Sequence, residues 1–280
     1  MATLDSRILA LKGMIDDLSI YQRKGKTVVR YRYNVRKKRK PTPEQMRTRL
    51  AWANVYALWR AFPEGRKPLF QGRRPGTTDQ NMFVSHNMHN EAVYLTRPQL
   101  QSGGSVVTTL AVSDGTLRPI KLRLADGRVT TNIKTGGWVP TDGSTVGEMA
   151  AAILEHNEAF QSCDILRHYA AKQYWDVVNQ MPRTRVECTD LALDPHDERL
   201  LADAVGNCCG FGVADGHIAA TIEVEGGMAW VHMSKKEETT LVSPQRLLCT
   251  NAYMAQYGSE EAFEAACLSY GVKRNDIDNN

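Results

Sequence analysis

Between Arg23 and Arg49 the chain sets twelve Lys and Arg side chains against a single carboxylate, Glu44. They are Arg23, Lys24, Lys26, Arg30, Arg32, Arg36, Lys37, Lys38, Arg39, Lys40, Arg47 and Arg49. Such a stretch resists burial, because every unpaired charge withdrawn from water costs more than nearby apolar surface returns. A core must therefore be built mainly from later residues, and the basic stretch must face solvent or something anionic. Through residue 80 there are 19 basic and 6 acidic side chains, a net of +13, whereas the remaining 200 residues hold 16 and 25, a net of −9. The overall charge of +4 thus conceals a basic head and an acidic body. Such a chain suits contact with something negative at one end, or with copies of itself head to body.

A length of 280 residues fits two domains, or one larger domain with appendages. With 42% hydrophobic and 24% charged residues, a buried core is affordable. No stretch approaches the roughly 20 apolar residues needed to span a bilayer, which predicts no membrane partner. The first residues, Met1 to Asp17, lack a basic start followed by an apolar run, so a secretory signal is not expected and synthesis in the cytoplasm is. The six cysteines, at 163, 188, 208, 209, 249 and 267, form no C-x-x-C pair and read as reduced, buried thiols.

The expected fold class is α+β: an N-terminal basic β-hairpin arm and two helices, then two antiparallel β-rich modules and a C-terminal helix. The corresponding divisions are 1–97, 98–160 and 161–280. Leu18–Tyr21 and Thr27–Val35 flank the turn Arg23-Lys24-Gly25-Lys26, a hairpin pattern. In its second strand the two-residue period places Val29, Tyr31, Tyr33 and Val35 opposite Val28, Arg30, Arg32 and Asn34, separating aromatics from arginines. Thr42-Pro43-Glu44-Gln45 is a capping-box start for a helix running to about Ala61. Met46, Leu50, Ala53, Ala57 and Ala61 form its expected buried stripe, widened by Trp52, Val55, Tyr56 and Trp59. Thr77-Thr78-Asp79-Gln80 opens a second helix, and Thr145-Val146-Gly147-Glu148 a third that ends near Asn157.

Strands are expected at Ser105–Val112, Leu117–Leu124 and Val129–Lys134, with Asp114-Gly115 and Asp126-Gly127 as hairpin turns. A second set comprises Asp164–Tyr169, Arg185–Leu193, Gly210–Ala214, His217–Glu225, Met228–Met233 and Thr240–Leu248. Asp215-Gly216 and Gly226-Gly227 mark its turns, and Asn251–Tyr270 reads as helical.

Motifs for chemistry are absent. His86 and His89 share a helical spacing without an H-E-x-x-H pattern or a third ligand, so they read as structural histidines. Asp190, Asp194, Asp197 and Glu198 cluster, but their spacing does not match a calcium loop. The chain contains no G-x-S-x-G, Walker or kinase signature. No catalytic residue, cofactor, metal or small-molecule substrate is expected, and the protein reads as a non-enzyme. Contact with a macromolecule is assigned to Arg23, Lys24, Lys26, Arg30, Arg32 and the run Arg36, Lys37, Lys38, Arg39 and Lys40, anchored by Trp52, Tyr56 and Trp59. The two partners open to it are an acidic protein surface, including a second copy, and nucleic acid.

The N-terminal third resembles an uncharacterised family encoded by Bacteroidota and their phages and mobile elements. The resemblance is carried by Gly25-Lys26-Thr27-Val28-Val29-Arg30, by Lys40-Pro41-Thr42-Pro43-Glu44-Gln45-Met46, by Arg49 with Trp52-Ala53, and by Asn81-Met82-Phe83-Val84-Ser85 with Asn87-Met88. Gly227-Met228-Ala229-Trp230-Val231-His232, Leu241-Val242-Ser243-Pro244-Gln245 and Ser269-Tyr270-Gly271 extend it to about a third of the chain. What it implies is a virion component, for instance of a crAss-like phage: a neck, tail, connector-ring or head-associated subunit. It transfers no binding residue. The dense Arg36–Lys40 run departs from the family pattern and leaves DNA contact open as the alternative.

Overall fold

In the computed structural model of the chain, the residues described are 2–4, 13–15, 18–23, 26–31, 42–72, 76–88, 95, 99, 101–179, 181–206, 210–222, 226–236 and 239–250. The chain divides into two compact units, residues 1–40 and 41–280. In the first, β3 (Leu18–Arg23) and β4 (Lys26–Tyr31) form the expected antiparallel hairpin, with Arg23 opposite Lys26. Two short strands flank it, β1 (Ala2–Leu4) against β4 and β2 (Gly13–Ile15) against β3. The arm is thus the centre of a four-stranded sheet in the order β1-β4-β3-β2. An isolated two-stranded ribbon is marginal in water, and added strands stabilise it. The continuation through Val35 and the expected C-terminal helix lie outside the described residues.

The second unit starts at α1 (Pro43–Ala61), where Thr42 accepts from the Gln45 amide and the Gln45 side chain accepts from the Thr42 amide, each at 3.3 Å. The expected helix start is therefore present, but the buried stripe is rotated from the expected one. Leu50, Asn54, Leu58 and, just past the helix, Phe62 are almost completely buried; Ala53, Ala57 and Ala61 are half-buried. Asn54 explains the difference. Its side chain donates to the Val106 carbonyl at 2.9 Å and accepts from the Val106 amide at 2.8 Å, so a polar residue occupies the inward row.

Later elements are β5 (Leu69–Phe70), α2 (Asp79–Asn87), β6 (Ala111–Asp114), β7 (Leu122–Ala125), β8 (Arg128–Lys134), α3 (Val146–His156), β9 (Ile165–Asp176) and β10 (Met181–Ala192). They are followed by α4 (Leu201–Val205), β11 (Gly212–Ala214), β12 (His217–Thr221), β13 (Gly226–Lys236), β14 (Thr239–Val242), β15 (Gln245–Arg246) and β16 (Leu248–Cys249). The central sheet runs β10-β9-β13-β14, with β16 also paired to β13. A second sheet runs β11-β12-β8-β7, and a third β15-β6-β5. All pairs described are antiparallel except β5 with β6.

The central sheet is covered on both faces. Alternate residues Tyr169, Ala171, Val186, Cys188, Ala229, Val231 and Met233 pack with Val55 and Leu58 of α1, Phe62, and Phe83 of α2. The opposite face, with Leu166, Ala170, Leu191, Met228 and Trp230, packs on α3 and the second sheet through Met149, Ile153, Val129, Ile133 and Ile218. β13 is accordingly buried along nine consecutive residues, which erases the alternation of a half-exposed strand.

Since β8 pairs with β12, residues 98–160 and 161–280 share a sheet and are not separate modules. The expected boundaries at 97/98 and 160/161 are replaced by one at 40/41. Two expected turns also change. Asp114 ends β6, whose partners are β5 and β15, so Asp114-Gly115 closes no hairpin. Gly226 and Gly227 open β13, and a Cβ on Gly227 would stand 3.2 Å from Val107 Cγ1. There glycine admits a crossing segment at close range. Asp126-Gly127 and Asp215-Gly216 do form hairpin turns, with positive φ at all four residues.

The crossing segment, residues 102–110, is buried at most positions but joins no ladder, where the sequence pattern predicts a strand from Ser105. Backbone bonds from Ser105 to Pro182 and from Leu247 to Leu110 hold its two ends, and side-chain amides satisfy positions between them and in its continuation into β6. Asn54 serves Val106; Gln173 accepts from the Val107 amide at 2.8 Å; Asn87 pairs with Ala111 at 2.7 and 3.0 Å. Asn54→Leu is expected to leave two buried backbone groups without partners. At about 1–3 kcal/mol for each such group, the urea-unfolding free energy should fall by about 3 kcal/mol.

Candidate functional site

The register of the N-terminal sheet decides which side chains share a face. Ser19 and Arg30, Tyr21 and Val28, and Arg23 and Lys26 are cross-strand pairs, so these six residues lie on one side. Leu18, Ile20, Gln22, Thr27, Val29 and Tyr31 lie on the other. Arg23, Lys26 and Arg30 are all exposed, and the Arg30 guanidinium carbon stands 5.6 Å from the centre of the Tyr21 ring. The separation of Arg30 from Val29 and Tyr31 follows the expected alternation. Tyr21, from the neighbouring strand, joins the cationic face, and Tyr31 on the opposite side is 75% exposed. Lys24, Arg32 and the run Arg36, Lys37, Lys38, Arg39 and Lys40 lie outside the described residues.

The three aromatic anchors expected on α1 have different settings. Trp52 is 49% exposed and stacks on Tyr56 at 5.2 Å. Arg60 lies 4.5 Å above the Tyr56 ring and donates to its hydroxyl at 3.3 Å. That hydrogen bond, then a second to Gln80, favours the phenolate and lowers the Tyr56 pKa. Trp52 and Tyr56 line an open groove of about 330 Å³ with Gln80, Asn81, Val84 and Ser85. Trp59 instead turns inward, 5.4 Å from Phe83, with the Lys67 ammonium 5.5 Å from its ring.

Another exposed apolar feature is the tip of the β9–β10 hairpin, which carries Tyr174, Trp175, Val177 and Val178, the last 90% exposed. Asp176 orders this tip by accepting from the Val178 and Asn179 amides at 3.1 and 3.0 Å and from the Asn179 side chain at 2.8 Å. The Asn179 side-chain bond is the principal reason its carboxyl is held below the usual range.

Buried polar groups in the second unit bind elements together. Arg167 donates to Asp190 at 2.6 and 2.8 Å, on the α1–α2 face of the central sheet. Tyr169 donates to the Arg66 and Lys67 carbonyls, and Lys67 donates to the Trp59 and Phe62 carbonyls, closing the C-terminal end of α1. His232 and Asp164 meet at 2.7 Å with both side chains about 4% exposed, and the Phe160 ring lies 4.4 Å from the imidazole. Ser243 Oγ accepts from the His232 amide, not from its ring, so the three do not form a nucleophile–base–carboxylate relay. This pair ties the loop before β9 to β13. Sequence patterns miss it, as its members are 68 residues apart.

The histidines and acids singled out in the sequence are committed locally. His86 stacks on Phe70 at 4.8 Å, and His89 lies outside the described residues. Asp194 accepts from the His196 amide, and the Arg199 side chain, by hydrogen bonding to Asp197, holds that carboxyl below its usual range. Among the described residues no group of three His, Cys, Asp or Glu side chains is placed to hold a metal ion. No described helix is long and apolar enough to cross a membrane. Cys163 is exposed, Cys188 buried and Cys249 half-buried, whereas Cys208, Cys209 and Cys267 lie outside the described residues.

His168 is fully buried against Trp230, with ring centres 4.1 Å apart, and neither imidazole nitrogen has a hydrogen-bond partner among the described residues. Burial pushes its pKa down from 6.5 to about 3. The imidazole is therefore neutral when folded, while the unfolded chain takes up the proton near pH 6.5. Stability is complete above that value and falls as pH drops toward 3. At roughly 1.4 kcal/mol per pH unit below pH 6.5, the loss between pH 7 and 4.5 is about 2.5 kcal/mol. His168→Phe should remove that component, seen as a shallower pH dependence in paired urea melts.

Comparison of the chain with protein families, with curated proteins and with solved structures gives no match.

Proposed function

We propose that the protein is a non-enzymatic structural subunit of a bacteriophage virion, in a neck, tail or connector ring or associated with the head. It assembles through its basic N-terminal unit. The observation that carries this reading is the coincidence of charge with architecture. Residues 1–40 hold 12 basic and 3 acidic side chains, a net of +9, and residues 41–280 hold 23 and 28, a net of −5. Oppositely charged units in one chain favour head-to-body association between copies, and a repeated heterologous contact closes into a ring when its rotation permits. The half-buried Leu18, Ile20 and Val29 with exposed Tyr31 supply an apolar protein-contact face on the N-terminal sheet. The apolar tip of Tyr174, Trp175, Val177 and Val178 adds a site for a neighbouring virion protein, since exposed aromatics bury large area on contact. The deeply buried His232–Asp164 pair supports a scaffold role, because a substrate has no access to it.

Mass spectrometry of purified particles from cells carrying the gene tests the proposal. Many copies per particle are expected, and absence from particles overturns it. Size exclusion with light scattering should also show oligomers that dissociate as salt rises, because exposed charge contacts are screened.

A further inference from the structure

We propose that the cationic face of the N-terminal sheet binds the phosphate backbone of double-stranded nucleic acid. This goes beyond the structural role, because it assigns a second partner to the side of the sheet opposite the apolar protein-contact face. Arg23, Lys26 and Arg30 share that side and are exposed. The twelve residues of β3 and β4 contain no Asp or Glu, so no carboxylate within the hairpin strands neutralises them. Lys26 and Arg30 are four residues apart on one strand, about 13 Å at the usual rise. That span is close to the major-groove width of about 12 Å, so cations at the two ends of the face can meet phosphates on both sides of the groove. Tyr21 and Val28 lie between them, and Tyr21 braces Arg30 through the ring contact at 5.6 Å.

The same geometry limits what can be read. A major groove admits a two-stranded ribbon, whereas this hairpin is flanked by strands on both sides. The face therefore contacts phosphates and not base edges, which makes binding tolerant of sequence and sensitive to salt. Positive charge with no carboxylate among the residues of β3 and β4 suits a polyanion of uniform charge spacing, which a duplex supplies. Protein interfaces gain specificity by matching charges of both signs, whereas a duplex offers one negative charge per roughly 1.7 Å of axis.

The experiment is a fluorescence-anisotropy titration of the full chain with a short random-sequence duplex at about 50 to 200 mM salt. Affinity should fall linearly with salt on logarithmic axes. At roughly 0.9 per neutralised phosphate, the triple variant R23Q/K26Q/R30Q should lower that slope by about 2.7 and weaken binding at least roughly tenfold near 100 mM salt. R23K/R30K, which keeps the charge, should retain the wild-type slope. Thermal melts matched to wild type identify the variants as folded. The proposal is overturned if the triple variant binds with an unchanged slope, or if polyglutamate competes as well as the duplex per unit charge. Particle content is a separate readout: a chain absent from particles that still binds duplex removes the virion role alone, and a particle component that ignores duplex removes this proposal alone.

Discussion

Trp230→Ala should lower the unfolding free energy by about 3–5 kcal/mol, among the largest effects expected of a single substitution here. Trp230 is completely buried at the centre of β13, the strand flanked in the central sheet by β9 and β14. Its ring stacks on His168 at 4.1 Å and packs on Phe211 at 5.6 Å. Removing it opens a cavity between the central sheet, α3 and the second sheet, and β9, paired at His168 with both Thr189 of β10 and Trp230 of β13, cannot collapse into the space. It also deprives the His168 ring of the aromatic face against which it is buried. Equilibrium urea unfolding by far-UV circular dichroism gives the value directly. A loss below about 1 kcal/mol would mean that the two layers are not held together at this point.

The second large effect is expected for Asp190→Ala, at about 3 kcal/mol, near the lower end for breaking a buried ion pair. The Arg167 side chain is 6% exposed, so without Asp190 its charge stays inside with its principal acceptor gone. Asp190 is 26% exposed, and water reaching the vacated position moderates the loss. Burial is the largest influence and opposes the Arg167 charge, but hydrogen bonding and charge attraction from Asp190 and Tyr169 together outweigh it and keep the guanidinium protonated. The substitution also withdraws the carboxylate 3.7 Å from Arg66, in the loop that Tyr169 holds by its hydroxyl. An apolar double replacement, R167M/D190L, should cost distinctly less, since neither partner is then left charged and alone. Comparing the single, the double and R167M by denaturant melts measures the coupling.

Local chemistry was well written in the chain. Thr42, Thr78 and Thr145 each accept from the amide three residues on, and each helix begins beside its threonine. Asp126-Gly127 and Asp215-Gly216 turn hairpins, and the Arg23–Lys26 pair closes another. The candidate interface was legible in the same way. A two-residue strand period placed Arg30 away from Val29 and Tyr31. Pairing across strands added what period alone omits, bringing Tyr21 beside Arg30 and Arg23 beside Lys26.

Long-range packing was not legible, for identifiable reasons. Asn54 reads as an interruption of an apolar helix face until residue 106 arrives to receive both ends of its amide. Gly226-Gly227 reads as a turn until the 102–110 segment is seen to need the space. β9 and β10 extend well beyond their expected ends, through Tyr174, Trp175 and Pro182, because antiparallel pairing satisfies a backbone whose side chains show no clean alternation. Residues a few positions apart suffice to write the caps, the tight turns and the alternation that sets Arg30 apart from Val29 and Tyr31, and composition alone puts a net +9 on the first 40 residues. Which strands share the central sheet, which polar residues are buried and which residues of a neighbouring strand join Arg30 on its face follow only from packing, since these depend on partners brought together from distant segments or adjacent strands.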